Sequence, residues 1–319
     1  MILNQLLIHP YHTMSGHSTK KDVFAKKYFF LIIGMTIIFW AFAFPLIKIG
    51  LEELSPVNLT IMRLLVACIV FLILLLTIPN KFSKIHKKDI LPIFLLGFTG
   101  IIIYHLGLNY GEQYISASAA SLIIATIPIF VVILAVIFLK EKITLKIVLG
   151  IILSLVGVVI ISIVGKPDIP IEIKYVSGAF AVLIGALVGA GYTVAGKKML
   201  SRYSALSLTV YAFLFGSIGL IPFINNSLFE EVVAMSVTGW SVVIFLGICS
   251  TVISYVLWYV ALEIKSASKI SVYLYFIPVL STIISYILFQ DKITWLFIFG
   301  GALVILGLYV VNKQRIETT

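Results

Sequence analysis

The sequence predicts an all-α integral membrane protein with ten transmembrane helices, arranged as two inverted five-helix repeats. Three observations support this prediction: the composition, the distribution of basic residues, and internal similarity between the two halves. Of the 319 residues, 61% are hydrophobic and only 11% are charged. A soluble domain keeps a larger charged exterior, so this composition indicates that lipid is the solvent.

The apolar segments have the length and continuity of membrane helices. A helix needs roughly 20 apolar residues to cross about 30 Å of hydrocarbon, whereas a membrane β-barrel would show polar and apolar residues in alternation. Runs such as Ile123–Leu139 and Ile147–Val164 are continuously apolar. Ten spans are therefore predicted, at residues 28–48, 57–78, 89–109, 116–138, 145–164, 175–196, 205–224, 240–260, 267–289 and 294–311.

The basic residues indicate the orientation of these spans. The net charge of +10 would suit a nucleic-acid partner, but alternate loops and the two ends hold nearly all of the 23 Lys and Arg residues. The exceptions are Lys48, Arg63, Lys166, Lys174 and Lys292. This positive-inside bias predicts a multi-pass protein of the cytoplasmic membrane with both termini in the cytoplasm, and no nucleic-acid partner.

An internal repeat divides the chain into two halves. Ser116-Ala117-Ser118 recurs 150 residues later as Ser266-Ala267-Ser268, and Glu141-Lys142-Ile143-Thr144 is matched at the same offset by Asp291-Lys292-Ile293-Thr294. Three single residues also recur at this offset: Pro128 as Pro278, Gly150 as Gly300 and Gly157 as Gly307. Five spans per half is an odd number, so the second half is expected to be inverted in the membrane. The predicted units are a cytoplasmic tail (1–27), a first repeat (28–164), a second repeat (175–312) and a second tail (313–319). Inverted repeats are typical of secondary transporters.

These motifs resemble those of the drug/metabolite transporter superfamily, specifically its ten-helix EamA-type members, over residues 28–312. The resemblance is carried by Trp40, Phe44 and Lys48 in the first span, by Arg63 in the second, by the repeated Ser-Ala-Ser…Pro…Lys-Ile-Thr strings, and by the glycines of the fifth and tenth spans. It implies a central cavity between spans 1, 3, 4, 6, 8 and 9, and export of amino acids or related metabolites. One departure is Gly189, where the family usually has Trp, so that side of the cavity is expected to be wider or differently shaped.

The third span is the most polar. His105, Asn109 and Glu112 share one helix face, and an ionisable residue within a span normally faces the bundle interior or a water path. His105 is therefore a candidate for proton coupling, the alternative being a plain interhelical hydrogen bond. Glu112 is expected near the outer boundary, in water.

The repeat places aromatic residues opposite this polar face. It relates His105 to Tyr255, Leu108 to Trp258 and Asn109 to Tyr259. Aromatic walls with a few polar groups suit small amphipathic ligands, although plain packing and an interfacial aromatic belt remain alternatives. The predicted substrate-binding residues are Trp40, Phe44, His105, Asn109, Tyr192, Tyr255, Trp258, Tyr259 and Tyr275.

Other residues have roles left open by the sequence. Pro128 and Pro278 lie mid-span and are predicted to kink their helices, with a role in gating. Arg63 either pairs with a substrate carboxylate, or snorkels to the surface, or pairs with Glu52 or Glu53. The glycine faces of spans 5 and 10 are expected to pack closely, either between the two halves or in a homodimer.

The sequence therefore favours a secondary transporter that exports amino acids or related small amphipathic metabolites by alternating access. A carrier of drugs, sugars or nucleotide derivatives is an alternative, and a membrane enzyme, a channel or a lipid flippase are further ones. No catalytic cluster or metal-type grouping is apparent, so neither enzymatic activity, nor a metal, nor a cofactor is expected. The expected partners are a small-molecule substrate and the lipid bilayer.

Overall fold

The computed structural model describes residues 28–163, 173–289 and 295–312. Within these ranges the chain forms ten long helices and no β-strand. Their bounds are α1 Phe29–Gly50, α2 Pro56–Thr77, α3 Lys87–Tyr114, α4 Ala117–Leu139, α5 Leu145–Ile163, α6 Ile173–Met199, α7 Ala205–Phe223, α8 Val237–Ile264, α9 Ala267–Leu288 and α10 Trp295–Asn312. A short helix, Asn226–Ala234, precedes α8 and was not predicted. The two expected tails and Lys166, Asp291 and Lys292 lie outside the described residues.

Eight of these helices are long and apolar enough to cross a membrane, as far as the described residues go. Shorter apolar stretches, Leu145–Gly157 and Ile298–Val311, lie in α5 and α10. The helix bounds agree closely with the predicted spans. The largest difference is at the end of α3, which was predicted at residue 109 and lies at Tyr114. Ten spans across the membrane stay a prediction.

Helix α2 shows how one face is buried while the other is left for lipid. Leu64, Ala67 and Phe71 are buried, whereas Leu65 and Leu76 are 48% and 78% exposed. Burial of such a side chain out of water is worth roughly 1.5–3 kcal/mol. A bilayer offers these exposed side chains an apolar environment without any protein partner, which is the location that the composition predicts.

Serine residues begin several helices at positions related by the repeat. Ser55, Ser116 and Ser204 each accept a hydrogen bond on the side-chain oxygen from the amide three residues later, which satisfies a donor that the helix itself cannot pair. At the start of α9 the hydrogen-bond acceptor for the free amides is a carboxylate. Glu141, just after α4, accepts hydrogen bonds from the amides of Ala267 and Ser268 at 2.8 and 3.2 Å. This interaction links the two halves of the chain.

Irregular stretches occur at equivalent places in the two halves. Helix α3 contains a π-helical stretch at Phe98–Ile103 and α8 contains one at Leu246–Ile253. Helix α4 is interrupted at Ala125–Thr126, and Pro128 follows in the first turn of its second part, where proline loses no helical hydrogen bond. Pro278 likewise follows a 3-10 stretch in α9, Val272–Tyr275. Both prolines thus follow an irregular stretch, and their role in gating stays a prediction.

The helices of one half pack mainly against those of the other. Helix α1 packs on α8 and α9, while α6 packs on α3 and α4; α2 packs on α8, and α7 on α3. Each contact thus has a counterpart in which every helix is replaced by its equivalent from the other half, for example α1 on α8 and α6 on α3. The cavity described below lies at the interface between the halves.

The contact between α5 and α10 depends on glycine. A Cβ atom on Gly307 would lie 2.6 Å from the Gly150 oxygen, and one on Gly150 would lie 2.7 Å from the Gly307 oxygen, which no larger residue could accommodate without moving the backbone. Of the two predicted uses of these glycine faces, the structure shows the contact between halves. A homodimer stays a prediction and would need another surface of these helices.

Candidate functional site

A small cavity lies between helices of both halves. Its walls come from α1, α3 and α4 of the first half and from α6, α8 and α9 of the second. The lining residues are Trp40, Gly100, Tyr104, Ile124, Ile127, Gly189, Tyr192, Thr193, Tyr255, Trp258 and Leu274. Four of the predicted substrate-binding residues are among them: Trp40, Tyr192, Tyr255 and Trp258.

The cavity is small in this conformation. About 40 Å³ is open to the centres of water-sized molecules, which is enough for a few waters and too little for a metabolite. A larger ligand could enter only if the lining residues move. The cavity as observed is therefore too narrow to hold such a ligand.

Trp40 is held in the wall by contacts between α1 and α8. Its indole Nε1 donates a hydrogen bond to the main-chain oxygen of Ser250 at 3.0 Å, within the π-helical stretch of α8. Its ring lies 5.5 Å from the ring of Tyr255 and 5.2 Å from that of Trp258. The hydrogen bond orients the indole, and the three rings form one continuous aromatic wall.

The adjoining wall is built on α6, where the Tyr192 ring lies 5.6 Å from the Tyr255 ring. Tyr192 stacks on Tyr259 with ring centroids 4.9 Å apart, and the Tyr259 hydroxyl donates to the Tyr192 main-chain oxygen at 3.3 Å. The Trp258 indole donates to the Thr193 hydroxyl at 3.3 Å. Tyr259 is therefore placed behind Tyr192, as its support, rather than in the lining.

Gly189 marks the departure from the family pattern. A Cβ atom on this residue would lie 3.2 Å from Cδ2 of Tyr104, so the Tyr104 ring from α3 packs into the space beside it. This side of the cavity is shaped by an α3 tyrosine.

His105 and Asn109 lie next to the cavity but do not line it. His105 is fully buried, with Nδ1 2.7 Å from the Ile101 oxygen and the ring 5.9 Å from that of Tyr255. Asn109 donates from Nδ2 to the Thr60 hydroxyl of α2 at 2.8 Å. Asn109 thus connects two helices of the first half, and His105 lies behind Tyr255.

Two expectations about charged residues are wrong. Glu112 was expected in water, but its side chain is 0% exposed and neither carboxylate oxygen accepts a hydrogen bond from the described residues. The surface alternatives for Arg63, snorkelling or pairing with Glu52 or Glu53, are wrong, because Arg63 is 2% exposed and donates from Nε to the Thr251 hydroxyl of α8 at 2.8 Å. Tight packing of α2 against α8 keeps it inside the bundle. Pairing with a substrate carboxylate stays a prediction.

Phe44 and Tyr275 are buried away from the lining. The Tyr275 hydroxyl has no hydrogen-bond partner among the described residues. A contact between these residues and a ligand would need a larger cavity than the one observed, and it stays a prediction.

The sequence interpretation missed several lining residues, of which Tyr104 is the most prominent. The sequence interpretation concentrated on the polar series of His105, Asn109 and Glu112, none of which is in the lining of the cavity. The available signal was the pair Gly100 and Tyr104, four residues apart and hence on one face. Ile124, Ile127 and Leu274 carry no signal that separates them from other apolar residues of their spans.

Comparison with known proteins decides the family. The model of the EamA-like transporter family matches the chain twice, at residues 26–163 and 176–313. The chain belongs to the EamA-like transporter family. The resemblance to the drug/metabolite transporter superfamily, noted from the motifs, is thereby confirmed.

The relatives extend over most of the chain. A protein of Archaeoglobus fulgidus named as an uncharacterized transporter is 38% identical over 287 residues, which cover 89% of this chain and 99% of the relative. A protein of Bacillus subtilis (strain 168) named as the uncharacterized transporter YdfC is 32% identical over 289 residues, 89% of this chain and 91% of the relative. A protein of Streptantibioticus cattleyicolor named as a probable terminal-alkyne amino-acid exporter is 29% identical, with 88% and 92% covered. The EamA-like chain is thus a multi-pass membrane transporter.

A solved structure supports the fold independently. A crystal structure with 19% sequence identity matches with a TM-score of 0.70, over 90% of this chain and 98% of the other. At this level of identity the likeness concerns the fold alone.

Proposed function

We propose that this EamA-like protein is a secondary transporter that exports amino acids, or related small amphipathic metabolites, across the cytoplasmic membrane by alternating access. The observation that carries the proposal is the aromatic cavity between the two halves. Helices from both repeats line it, so a movement of one half against the other would open it first to one side and then to the other.

The repeat supports this mechanism. Helices α3 and α8 begin at Lys87 and Val237, and α4 and α9 begin at Ala117 and Ala267, so both pairs are 150 residues apart. Five helices per half make the second half inverted, with ten spans in total and both termini in the cytoplasm. Two packings of one architecture, exchanged between inverted halves, supply the outward-open and inward-open states.

The lining supports the class of cargo. Aromatic walls with a few hydroxyl groups suit a ligand with an apolar part and a small polar part, and none of the eleven lining residues carries a charge. A carrier of sugar phosphates or nucleotides would need several basic groups in the cavity. One relative is named as a probable amino-acid exporter, which agrees with this class.

His105 is the candidate for coupling transport to protons. It is buried behind Tyr255, and Nε2 has no partner among the described residues, so it could exchange a proton when the cavity opens. In the observed conformation its Nδ1 contacts the Ile101 oxygen at 2.7 Å.

Counterflow in proteoliposomes tests the proposal. Vesicles loaded with one unlabelled amino acid from an aliphatic and aromatic panel should accumulate its labelled form from outside, saturably. Trp40→Ala should slow this exchange about tenfold or more, a loss of ~1.4 kcal/mol or more, because it removes the centre of the aromatic wall. The matched control is Trp240→Ala, since Trp240 is 39% exposed and outside the lining. Absence of exchange for the whole panel would reject the proposal.

A further inference from the structure

A buried polar cluster lies beside the aromatic cavity, between α2, α3 and α8. Its charged members are Arg63 and Glu112, which are 2% and 0% exposed. Arg63 Nη1, both carboxylate oxygens of Glu112 and Asn109 Oδ1 have no hydrogen-bond partner among the described residues. Unpaired polar atoms are rare in protein interiors, and each one calls for a partner.

Arg63 connects this cluster to the cavity. Its Nε is anchored to Thr251 of α8, four residues before Tyr255 on the same helix, and its charge interacts with the carboxylate of Glu112. Tyr104 and Tyr255 both line the cavity. The guanidinium is therefore held on the helix that carries Tyr255, within electrostatic range of the carboxylate.

Lys48 is the other cation near Glu112. Its ammonium donates a hydrogen bond to the main-chain oxygen of Glu112, and its charge acts on the Glu112 carboxylate. It is thus engaged at the end of α3, where a cation also interacts favourably with the helix dipole. Within the described part of the chain, the Arg63 Nη1 donor and the Glu112 acceptors remain without a hydrogen-bond partner.

The unmet groups are complementary to one kind of ligand. A guanidinium donates to a carboxylate in charge-assisted hydrogen bonds, and a carboxylate accepts from an ammonium group. Leaving either charge buried without such partners is costly. An amino acid carries both complementary groups on one carbon atom, next to a side chain that the aromatic wall can contact.

We propose that Arg63 and Glu112 form the head-group site of this transporter, Arg63 receiving the carboxylate and Glu112 the ammonium group of a zwitterionic amino acid. The aromatic wall around Trp40 then contacts the side chain of the cargo. This inference rests on the proposed function. It names the chemistry at each end of the ligand and gives Glu112 a role in recognition.

Ligand analogues on the wild-type protein give the first test. Thermal stabilisation in detergent is measured with L-phenylalanine, L-tryptophan and L-leucine, and the amino acid with the tightest apparent Kd is compared with its N-acetyl and carboxamide derivatives. Each derivative lacks one of the two charges and should bind about tenfold more weakly or worse. Equal binding of the amino acid and both derivatives would overturn the head-group site.

Variants assign each charge to its residue. In Glu112→Gln the preference for the amino acid over its N-acetyl derivative should fall close to one, while its preference over the carboxamide is kept. Arg63→Gln should show the reverse, and Arg63→Lys should restore part of the preference for the carboxylate. Glu52→Gln, at an exposed position, is the control and should behave as wild type.

The outcomes separate this inference from the proposed function. If no amino acid stabilises or exchanges through the wild-type protein, the proposed function fails and the head-group site fails with it. If amino acids bind but Glu112→Gln and Arg63→Gln keep both preferences, the transporter proposal stands. The polar cluster is then a hydrated structural element, and the head-group site is rejected. Should a variant not fold, the analogue comparison on the wild-type protein still decides.

Discussion

Lys48 donates a hydrogen bond to the main-chain oxygen of Glu112, and Lys197 donates one to that of Leu262. Lys197 stands 149 residues after Lys48 and Leu262 stands 150 after Glu112, which are the offsets of the repeat. In each half, a lysine at the end of the first helix thus binds the end of the third, where helical carbonyls lack partners. Lys197 also donates to the Lys265 oxygen at 3.0 Å.

These lysines should stabilise the two halves in the same way. Lys48→Met and Lys197→Met each keep the apolar stem but lose the charged donor, and each should cost ~1.5–3 kcal/mol of stability. Thermal unfolding in detergent measures the loss. Lys198→Met is the matched control because Lys198 is exposed. An equal effect of Lys198→Met would show that the hydrogen bonds of the other two lysines do not matter.

The close approach of α5 and α10 should tolerate no Cβ atom at Gly307. Gly307→Ala should destabilise the protein by ~1–3 kcal/mol, since added atoms force backbone movement in a packed interface. Gly301→Ala is the control, because its Cβ atom would find its nearest neighbour, Val279, at 3.7 Å. Thermal unfolding of both variants checks the prediction, and equal melting temperatures would contradict the helix contact.

The indole hydrogen bond of Trp40 should contribute to the rigidity of the cavity wall. Trp40→Phe keeps an aromatic ring but leaves the Ser250 oxygen without its donor, at a cost of about 1 kcal/mol. Trp240→Phe removes an exposed indole and should have little effect. Denaturation monitored by circular dichroism compares the two. The prediction fails if the two variants lose the same stability.

The hydrogen bonds from α9 to Glu141 should keep the start of α9 packed against the end of α4. Glu141→Ala removes the carboxylate that caps α9, and loss of a cap costs ~0.5–2 kcal/mol. A single cysteine at the buried position of Ser271, with Cys68 and Cys249 replaced, should then react faster with a water-soluble maleimide. Lys142→Ala, at an exposed neighbouring position, should leave the rate unchanged. An unaltered rate in Glu141→Ala would show that this packing does not depend on the cap.

Acid should weaken the contact between Glu53 and Ser236. The Ser236 hydroxyl and amide both donate to the Glu53 carboxylate at 2.6 Å, and these hydrogen bonds lower the pKa of Glu53 below its ordinary value of 4.5. Because the pKa is lower in the folded state, this contribution is present above 4.5 and is lost as the pH falls through the folded-state pKa. Melting temperatures measured against pH in that acidic range should fall less steeply for Glu53→Gln than for wild type, with Glu52→Gln as control. Equal slopes would contradict the contact.

Four residues of the aromatic lining could be predicted from the sequence, whereas the burial of the polar residues beside it could not. Trp40 and Tyr192 stood out through the resemblance to the family, and Tyr255 and Trp258 because the repeat relates them to His105 and Leu108. Glu112 was assigned to the surface, and for Arg63 a surface position and a substrate carboxylate partner were left as alternatives. Their distance from the span ends could not show that α2 and α8 pack closely enough to enclose them.

The sequence by itself determined the helices, their bounds and their repetition, because a backbone in lipid must satisfy its hydrogen bonds within each segment. That requirement is local and therefore readable from apolar runs and capping serines. Only the tertiary structure decided which face of each helix meets the cavity. The π-helical stretch at Phe98–Ile103, with its wider hydrogen-bond pattern, changes the rotational phase of α3. As a result Tyr104 faces the cavity, while Asn109 faces α2. Such a phase change depends on neighbouring helices and leaves no local mark in the sequence.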